Sequence, residues 1–523
     1  MHFDIPERSA YDSDVIDVIE RLAECEVAEA APVMLLLLED RSLAVRCASV
    51  RALGTMVKAA TPALPKFIKY FERPRHDDPL ADAAIHALAQ LGSVAVPAVS
   101  KALTHRKIRV RRRGIFVLMR MGHDGQDAAG TLWYALQRET DGDRRSNALY
   151  AFSKMGEVDP QFIKTLGRFA PNREHESEQR KRAMDVLRTL GQQTKAARPD
   201  VLRAARDDKR EVRAGAMTLV QLACPPNESV PLLTAALDDP AYEVREQAAR
   251  ALGWVGPVAK PAVTKFIAML EDPQYRGELV PLQTPPTDID PFSYPPPHIR
   301  DKRQPASAVI IALGCIGPEA AEAVPAITRY VRFRYGSHTD EAWLAAPALG
   351  KIGPGAAGAI PTLIEHLQKT NSHGYAERVV AALGMIGPKA KAAVPVFQEL
   401  LDGKYRFRDT EYIRATVFDT LGRIGPEDPL AIDILIGGLD YSNYSFDGQN
   451  AADALAKFGK LSVRPLIEAL DDPKKGYYAL KAIEQLGPTA APAAEKIQTR
   501  LNELTNRHGQ FVRDVLEAIE RGK

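Results

Sequence analysis

Apolar residues recur at helical spacing along most of the chain, and one stretch near residue 250 shows the pattern most clearly. Val244, Ala248, Ala251, Leu252 and Val255 fall on one face of a predicted helix. A second apolar stripe follows after a short turn, formed by Val263, Phe266, Ile267 and Leu270. The stretch therefore predicts two helices in succession, each with one apolar face.

The same pair of helices recurs throughout the chain. Aligning the end of each first helix on Gly256 gives thirteen anchor positions: Val57, Gly92, Gly122, Gly156, Gly191, Cys224, Gly256, Gly317, Gly353, Gly387, Gly425, Gly459 and Gly487. Successive anchors lie 28 to 38 residues apart, except for one spacing of 61. A period of this length is typical of stacked helix pairs.

The anchors have the chemistry of helix ends. Eleven of the thirteen are glycine, which tolerates the left-handed conformation that ends a helix, and six of these precede a proline. In twelve repeats a proline also lies four to eight residues after the anchor, where the first turn of the next helix can accept it.

One helix pair cannot bury both apolar stripes, so the pairs must stack on one another. The predicted fold is an all-α, right-handed α-solenoid of about 13 HEAT-like helix pairs. The expected divisions are an N-terminal capping pair (1–40), a solenoid (41–272), a Pro-rich insertion within a repeat (273–305), a second solenoid (306–500) and a capping helix (501–523).

The signature Val-Arg…Ala-Leu-Gly-x-Ile-Gly-Pro, seen at Ala312–Pro318, Ala348–Pro354 and Ala382–Pro388, resembles the HEAT repeat family. It is similar to the bacterial subtype that also occurs in phycobilisome bilin lyases, and the resemblance covers roughly Asp40 to Leu501. It implies that the Val-Arg helix lines a concave face. Because the repeat occurs in adaptors, scaffolds and a few enzymes, the resemblance implies a fold more than a function.

Composition narrows the class of protein. Hydrophobic residues make up 45% and charged residues 26%, as in folded proteins, and a net charge of +2 argues against a wholesale nucleic-acid binder. The four cysteines show no metal-ligand spacing, and no apolar run approaches the roughly 20 residues of a membrane helix. The expectation is a cytoplasmic protein without metal, cofactor or membrane partner.

An arginine stands eleven residues before the anchor in seven repeats, and in five of these an acid precedes it by six residues. The predicted structural ladder comprises Asp40, Arg46, Glu139, Arg145, Glu174, Arg180, Asp207, Arg213, Asp239 and Arg245. The expectation is an ion ladder between repeats, in which each of these carboxylates meets a nearby guanidinium and Asp207 pairs with Arg213 and Asp239 with Arg245. The alternative is a track of arginines for anionic ligands.

Between Lys101 and Arg120 the chain carries eight positive charges and no acid. His105 takes the place of the ladder acid, which leaves Arg111 unneutralised, and the repeat register predicts that Arg109, Arg112 and Arg113 are exposed. The segment is either a solvated face or a site for an acidic protein or a phosphate backbone.

Two further features could bind a partner. The insertion contains nine prolines and the aromatic Tyr294. Beyond it, Tyr- and Arg-rich loops, which include Tyr330 and Tyr375, should lie along one edge of the solenoid, here called the loop edge. Their side chains are either hot spots for binding a partner or rings that fix the start of each helix to its neighbour. The candidate contact residues of this edge are Arg332, Phe333, Arg334, Tyr335, Tyr405, Arg406, Phe407 and Arg408.

No phosphate loop, G-x-S-x-G or H-E-x-x-H occurs, and a single His-Glu dipeptide, His175-Glu176, cannot supply the repeated dipeptides of the HEAT-fold iron hydroxylases. The prediction is a non-catalytic scaffold that binds a protein partner along its concave face and loop edge, and the basic segment favours an anionic partner. The alternatives are a bilin-lyase-like enzyme that handles a chromophore and a DNA-binding protein of the HEAT glycosylase type.

Overall fold

The computed structural model describes residues 10–24, 28–57, 59–75, 78–272, 305–331, 340–370, 372–404, 411–425, 428–440, 445–503 and 509–520. These residues form helices, turns and loops, with no strand among them. They group into two compact units, Met1–Pro225 and Pro226–Lys523, which divide at the adjoining prolines Pro225 and Pro226.

Unit 1 contains thirteen of the described α-helices. They are α1 (Ala10–Glu24), α2 (Ala31–Leu37), α3 (Leu43–Thr55), α4 (Leu64–Tyr70), α5 (Pro79–Gln90), α6 (Val96–Leu103), α7 (Ile108–Met121), α8 (Ala129–Gln137), α9 (Gly142–Lys154), α10 (Pro160–Phe169), α11 (Ser177–Thr189), α12 (Arg198–Ala204) and α13 (Arg210–Ala223).

Unit 2 contains the helices that follow Pro225. They are α14 (Pro226–Ala236), α15 (Tyr242–Val255), α16 (Val263–Glu271), α17 (Pro305–Ile316), α18 (Val324–Thr328), α19 (Asp340–Ile352), α20 (Ile360–Lys369), α21 (His373–Ile386), α22 (Val394–Leu401), α23 (Glu411–Ile424), α24 (Pro429–Gly438), α25 (Ser445–Lys457), α26 (Lys460–Ala469), α27 (Gly476–Leu486), α28 (Ala494–Glu503) and α29 (Gly509–Glu520).

The helices alternate between two layers in each unit. The odd-numbered helices from α3 to α27, here called first helices, carry the Val-Arg register, and the even-numbered helices from α4 to α28 are the second helices. Within a unit each first helix packs against the next first helix, as α5 does against α3 and α7. The capping helices α1 and α29 pack against α3 and α27. The predicted all-α solenoid of helix pairs is thus confirmed.

The glycine anchors end the first helices as predicted. All eleven have positive φ, between +52° at Gly487 and +101° at Gly425. After many of them a short 3₁₀ turn, such as Gly256–Ala262, leads into the second helix. At the anchor Cys224, where glycine is absent, the backbone is instead extended with φ −113° and ψ 145°.

The apolar stripes form the core between the layers. Val244, Ala248, Ala251 and Leu252 of α15 are fully buried, as is Phe266 of α16. Burial of each large apolar side chain contributes roughly 1.5–3 kcal/mol relative to an exposed one. Because the positions of Ala248, Ala251 and Leu252 are buried in all thirteen repeats, stability comes from the stacking of neighbours rather than from any single pair.

Small residues bring the first helices of unit 2 into close contact. A Cβ atom built on Gly314 of α17 would lie 2.9 Å from the Cα of Ala348 in α19. Gly253 and Gly350 face Ala312 and Ala382 in the same way, at 3.0 and 2.9 Å. The Ala-Leu-Gly triplet of the repeat therefore sets how closely adjacent first helices approach.

Two helical stretches, Ala306–Val331 and His373–Leu401, are long and apolar enough to cross a membrane by length and composition alone. Each contains an anchor glycine with positive φ, Gly317 at +71° and Gly387 at +79°, which ends one helix before the next begins. Each stretch is therefore a first helix, a turn and a second helix, and 61% of its most apolar part is buried in the packing of the repeats.

Candidate partner-binding surface

Arginines eleven residues before an anchor, including Arg46, Arg213 and Arg245 of the predicted ladder, bind backbone carbonyls. In four repeats Nη1 of the arginine donates to the carbonyl oxygens six and five residues earlier, which lie in the loop before the helix. For Arg245 these are the oxygens of Asp239 at 2.8 Å and Pro240 at 3.0 Å. Arg213 contacts the oxygen of Asp207 at 2.8 Å in the same way. The predicted partners do meet, but through the carbonyl oxygen of the acid.

The carboxylates of the ladder have other partners. Asp40 and Asp239 accept the backbone N–H two residues later, at 2.7 and 2.8 Å, and so close the loop before the first helix. Asp207 does the same with Lys209 at 2.9 Å, and its second oxygen pairs with Arg180 of the preceding repeat. The ionic part of the ladder thus runs between neighbouring repeats.

Two acids of the ladder do not meet the arginine six residues later. Glu139 pairs with Arg144 at 2.9 Å rather than with Arg145. Glu174 is exposed, whereas Arg180 is buried and donates to the carbonyl of Ala170 at 2.8 Å as well as to Asp207. A long loop before α11 carries Glu174 outward, so spacing alone does not bring it to the guanidinium.

The environment of Glu139 shows the strength of these contacts. Burial raises the pKa of Glu139, but the hydrogen bonds from Arg144 and from the N–H of Asp141 outweigh it, so the pKa lies below its ordinary value. Arg111 of the preceding repeat approaches the other carboxylate oxygen at 4.0 Å. Arg111 is thus not left unneutralised, contrary to the prediction from His105.

The basic segment is only partly a surface feature. Lys107 forms an ion pair with Glu72. Arg113 is 6% exposed, and its Nη1 donates to the carbonyls of Phe71 at 2.9 Å and Arg73 at 3.0 Å. The predicted exposure of Arg113 is therefore wrong, because the unpaired carbonyls at the end of α4 attract its guanidinium. Arg109 is exposed as predicted, and Arg112 is half-buried.

Three consecutive first helices of unit 1 present a common surface, here called the central face. On each helix it consists of three residues, which stand ten, six, and two or three positions before the anchor glycine (Gly122 for α7, Gly156 for α9 and Gly191 for α11). These are Arg112, Phe116 and Arg120 on α7, Ser146, Tyr150 and Lys154 on α9, and Lys181, Asp185 and Arg188 on α11. Helix α9 packs against both α7 and α11, so the nine residues lie on adjacent helices of one layer.

Two aromatic rings on the central face each form a cation–π contact with a neighbouring side chain. The guanidinium carbon of Arg112 lies 5.2 Å from the ring centre of Phe116, and Nζ of Lys154 lies 5.1 Å from that of Tyr150. Such cation–π contacts are favourable by about 0.5–1 kcal/mol at exposed sites. The Tyr150 side chain remains 49% exposed, so the ring is also accessible to a partner.

The central face is strongly positive. Five of its nine residues are cations and one, Asp185, is an acid. Asp185 accepts a hydrogen bond from Arg188 at 3.0 Å, and burial raises its pKa above the ordinary value. A surface with this balance attracts anionic groups.

Two of the described tyrosines of the loop edge link their helices to neighbouring ones. Tyr330 donates its hydroxyl to the carbonyl of Leu270 at 2.9 Å, and Tyr375 donates to that of Val331 at 3.0 Å. Tyr70 makes the equivalent bond to Leu38 at 3.3 Å in unit 1. The candidate contact residues of the edge lie outside the described residues: Tyr294, Arg332, Phe333, Arg334, Tyr335, Tyr405, Arg406, Phe407 and Arg408.

A concavity lies in unit 2, between α14 and the segment that leads into α16. It has a volume of about 900 Å³, and Val230, Pro231, Val258 and Pro261 line it. Lys265 and Asp238 form an ion pair at its rim. Over the described part of the chain, no group of three or more His, Cys, Asp or Glu side chains is placed to hold a metal ion.

Sequence reasoning missed most of the central face. It singled out Arg112 and Arg120, but not Phe116, Tyr150, Lys154, Lys181 or Arg188. The signal was present: these side chains occupy the helical positions that the apolar stripe leaves exposed, once every repeat is aligned on its anchor. Counting charges along the chain concealed the signal, because the face collects residues from three separate helices.

The comparisons agree with the fold. The family described as HEAT repeats matches residues 199–278. Kap95p in a structure with RanGDP is similar in fold, with a TM-score of 0.56, 13% identity, and coverage of 96% of this chain and 74% of that one. Yeast importin-beta (Kap95p) gives a TM-score of 0.53, 13% identity, and coverage of 94% and 72%.

Kap121p bound to Pho4p gives a TM-score of 0.52 at 12% identity, over 96% of this chain and 62% of that one. A search of the curated proteins finds no match. At these identities the likeness shows the fold alone, and the chain is an α-solenoid of HEAT-type helix pairs.

Proposed function

We propose that this protein is a non-catalytic scaffold and that it binds a protein partner with an acidic surface through the central face of unit 1. The observation that carries the proposal is the group of five cations, four of them exposed, and two aromatic rings on α7, α9 and α11. Arginine and tyrosine are enriched at the hot spots of protein interfaces.

The fold supports the same function. The neighbouring structures include Kap95p with RanGDP and Kap121p with Pho4p, in which a solenoid of the same class contacts another protein. Stacked first helices offer a long, rigid surface on which contacts can be distributed. The central face lies in this layer, which corresponds to the Val-Arg layer that the HEAT resemblance assigns to a concave face.

The test is charge reversal on the surface. The triple variant Arg109→Glu, Arg112→Glu and Arg120→Glu reverses two cations of the central face and the exposed Arg109 three residues earlier on α7. It keeps the buried Arg113, whose replacement would disrupt the contact with the end of α4. Because surface charge mainly sets the association rate and its salt dependence, capture of native partners should fall at least about tenfold, and the parent should lose binding as salt rises.

Lys164 and Arg168 provide a matched control. Both are exposed on the second helix α10 of the same unit. The variant Lys164→Glu and Arg168→Glu reverses two charges in the other layer and should leave capture unchanged. Equal capture by the parent and both variants at low and high salt would show that the central face is a solvated surface.

A further inference from the structure

The central face carries one exposed cation near the end of each of its three helices. Arg120, Lys154 and Arg188 lie two or three residues before the anchors of α7, α9 and α11. Packed helices lie about 8–10 Å apart. Because the three cations take corresponding positions on packed helices, we expect them to form a row across the helices with a repeat of about 8–10 Å.

This repeat matches one conformation of a peptide. A polyproline II helix has three residues per turn and advances about 3.1 Å per residue, so every third side chain points the same way about 9 Å further on. In a β-strand, by contrast, the side chains on one face recur every second residue, about 7 Å apart. The row of cations thus fits carboxylates at every third position of an extended segment.

We propose that the anionic partner presents an extended peptide with an acidic side chain at every third residue. Successive carboxylates meet Arg120, Lys154 and Arg188 as the segment crosses α7, α9 and α11. This inference rests on the proposed function and specifies the chemistry of the partner at the same surface.

The geometry favours a peptide over a nucleic acid. The carboxylate of Asp185 stands beside the row, and Glu178 is exposed on the same helix, so a strand charged at every nucleotide would meet repulsion between the cations. Arg112 already lies over Phe116, and Lys154 over Tyr150, so bases would have to displace these cations to stack on those ring faces. A peptide with spaced acids avoids both conflicts.

Binding of labelled peptides to the full chain, followed by fluorescence polarisation, tests the spacing. The first probe repeats Glu-Pro-Ser, the second has the same composition with its glutamates in one block, and the third is single-stranded DNA of equal charge. The spaced peptide should bind at least about tenfold more tightly than the other two probes.

The variant Arg120→Glu, Lys154→Glu and Arg188→Glu should lose this preference, whereas Lys164→Glu with Arg168→Glu should keep it. The milder Arg120→Gln and Lys154→Gln variant, which leaves the contact of Asp185 with Arg188 in place, should weaken binding without affecting the fold. Circular dichroism of each variant checks that the helices are retained.

Equal affinity for the spaced and block peptides would overturn the proposed spacing, and tighter binding of the DNA would identify a nucleic acid as the ligand of this face. If no peptide binds while capture of a native protein partner still depends on Arg109, Arg112 and Arg120, this inference fails and the proposed function stands. If neither measurement responds to these charges, both fail.

Discussion

At the scale of single residues, the function of each arginine depends on what its guanidinium meets. Three consecutive residues of α7 have different environments: Arg111 closes a loop, Arg112 lies over Phe116, and Arg113 is buried against the end of α4. Successive residues on a helix point about 100° apart, so three identical side chains face three different surroundings. Only Arg112 of the three belongs to the candidate binding surface.

The buried pair of Arg180 and Asp207 leads to a prediction at this scale. Both side chains are 3% exposed, and the pair joins two neighbouring repeats. Arg180→Ala would strand a buried carboxylate and should lower the free energy of unfolding by about 3–5 kcal/mol, measured by urea denaturation.

The exposed pair of Arg203 with Asp200 is the control. Its atoms are 3.2 Å apart, but the arginine side chain is 67% exposed, so Arg203→Ala should cost less than about 1 kcal/mol. Similar losses for both variants would mean that burial of the Arg180 pair contributes nothing to stability.

At the scale of helices, glycine has two separate functions in the repeat. The anchor glycine ends the first helix through its positive φ. The glycine three residues earlier, as in Gly253 and Gly314, has a helical backbone and admits the neighbouring first helix. The sequence explains the anchor glycine by its local backbone conformation. The earlier glycine is explained only by the close packing of two helices, which the tertiary structure shows.

Substitution of Gly314 tests this packing. In Gly314→Val the new side chain would meet the Cα of Ala348, which lies 2.9 Å from the position of a Cβ. Overpacking of this kind should destabilise unit 2 by about 1–3 kcal/mol in thermal or urea denaturation.

Gly437 in α24 is the matched position, since nothing lies within 4 Å of a Cβ built there. Gly437→Val should change stability by no more than about 0.5 kcal/mol. A stable Gly314→Val protein would show that the first helices can separate without loss.

At the scale of the molecule, the repeats on either side of the 61-residue spacing between the anchors Gly256 and Gly317 pack directly against each other. Helix α16 ends at Glu271 and α17 begins at Pro305, yet α15 packs directly against α17, with Gly253 facing Ala312. The first-helix layer of unit 2 is therefore uninterrupted at this point.

Deletion of the insertion follows from this continuity. Replacing residues 273–304 with a Gly/Ser linker of about ten residues should leave helical content and melting temperature nearly unchanged, because the core on either side is already complete. Circular dichroism provides both readings. A large fall in the melting temperature would show that the insertion is part of the packed structure.

The fold could be predicted from the sequence because its determinants are local. The period of the apolar stripe, the anchor glycines and the prolines each act within a few residues, and stacking follows from the need to bury both stripes. The candidate surface depends on contacts between residues distant in sequence. The charge count of the basic segment included three cations that have partners within the structure. Lys107 pairs with Glu72, Arg111 with Glu139, and Arg113 with the carbonyls at the end of α4.

What the sequence determined by itself is therefore the set of helices, their turns and their buried faces. The tertiary structure decided which cations remain on the surface and which helices combine to present them. The physical reason is that a guanidinium can satisfy carbonyls some forty residues away, as Arg113 does with Phe71 and Arg73. Whether it does so depends on the position of the neighbouring repeat, which a pattern along one chain does not contain.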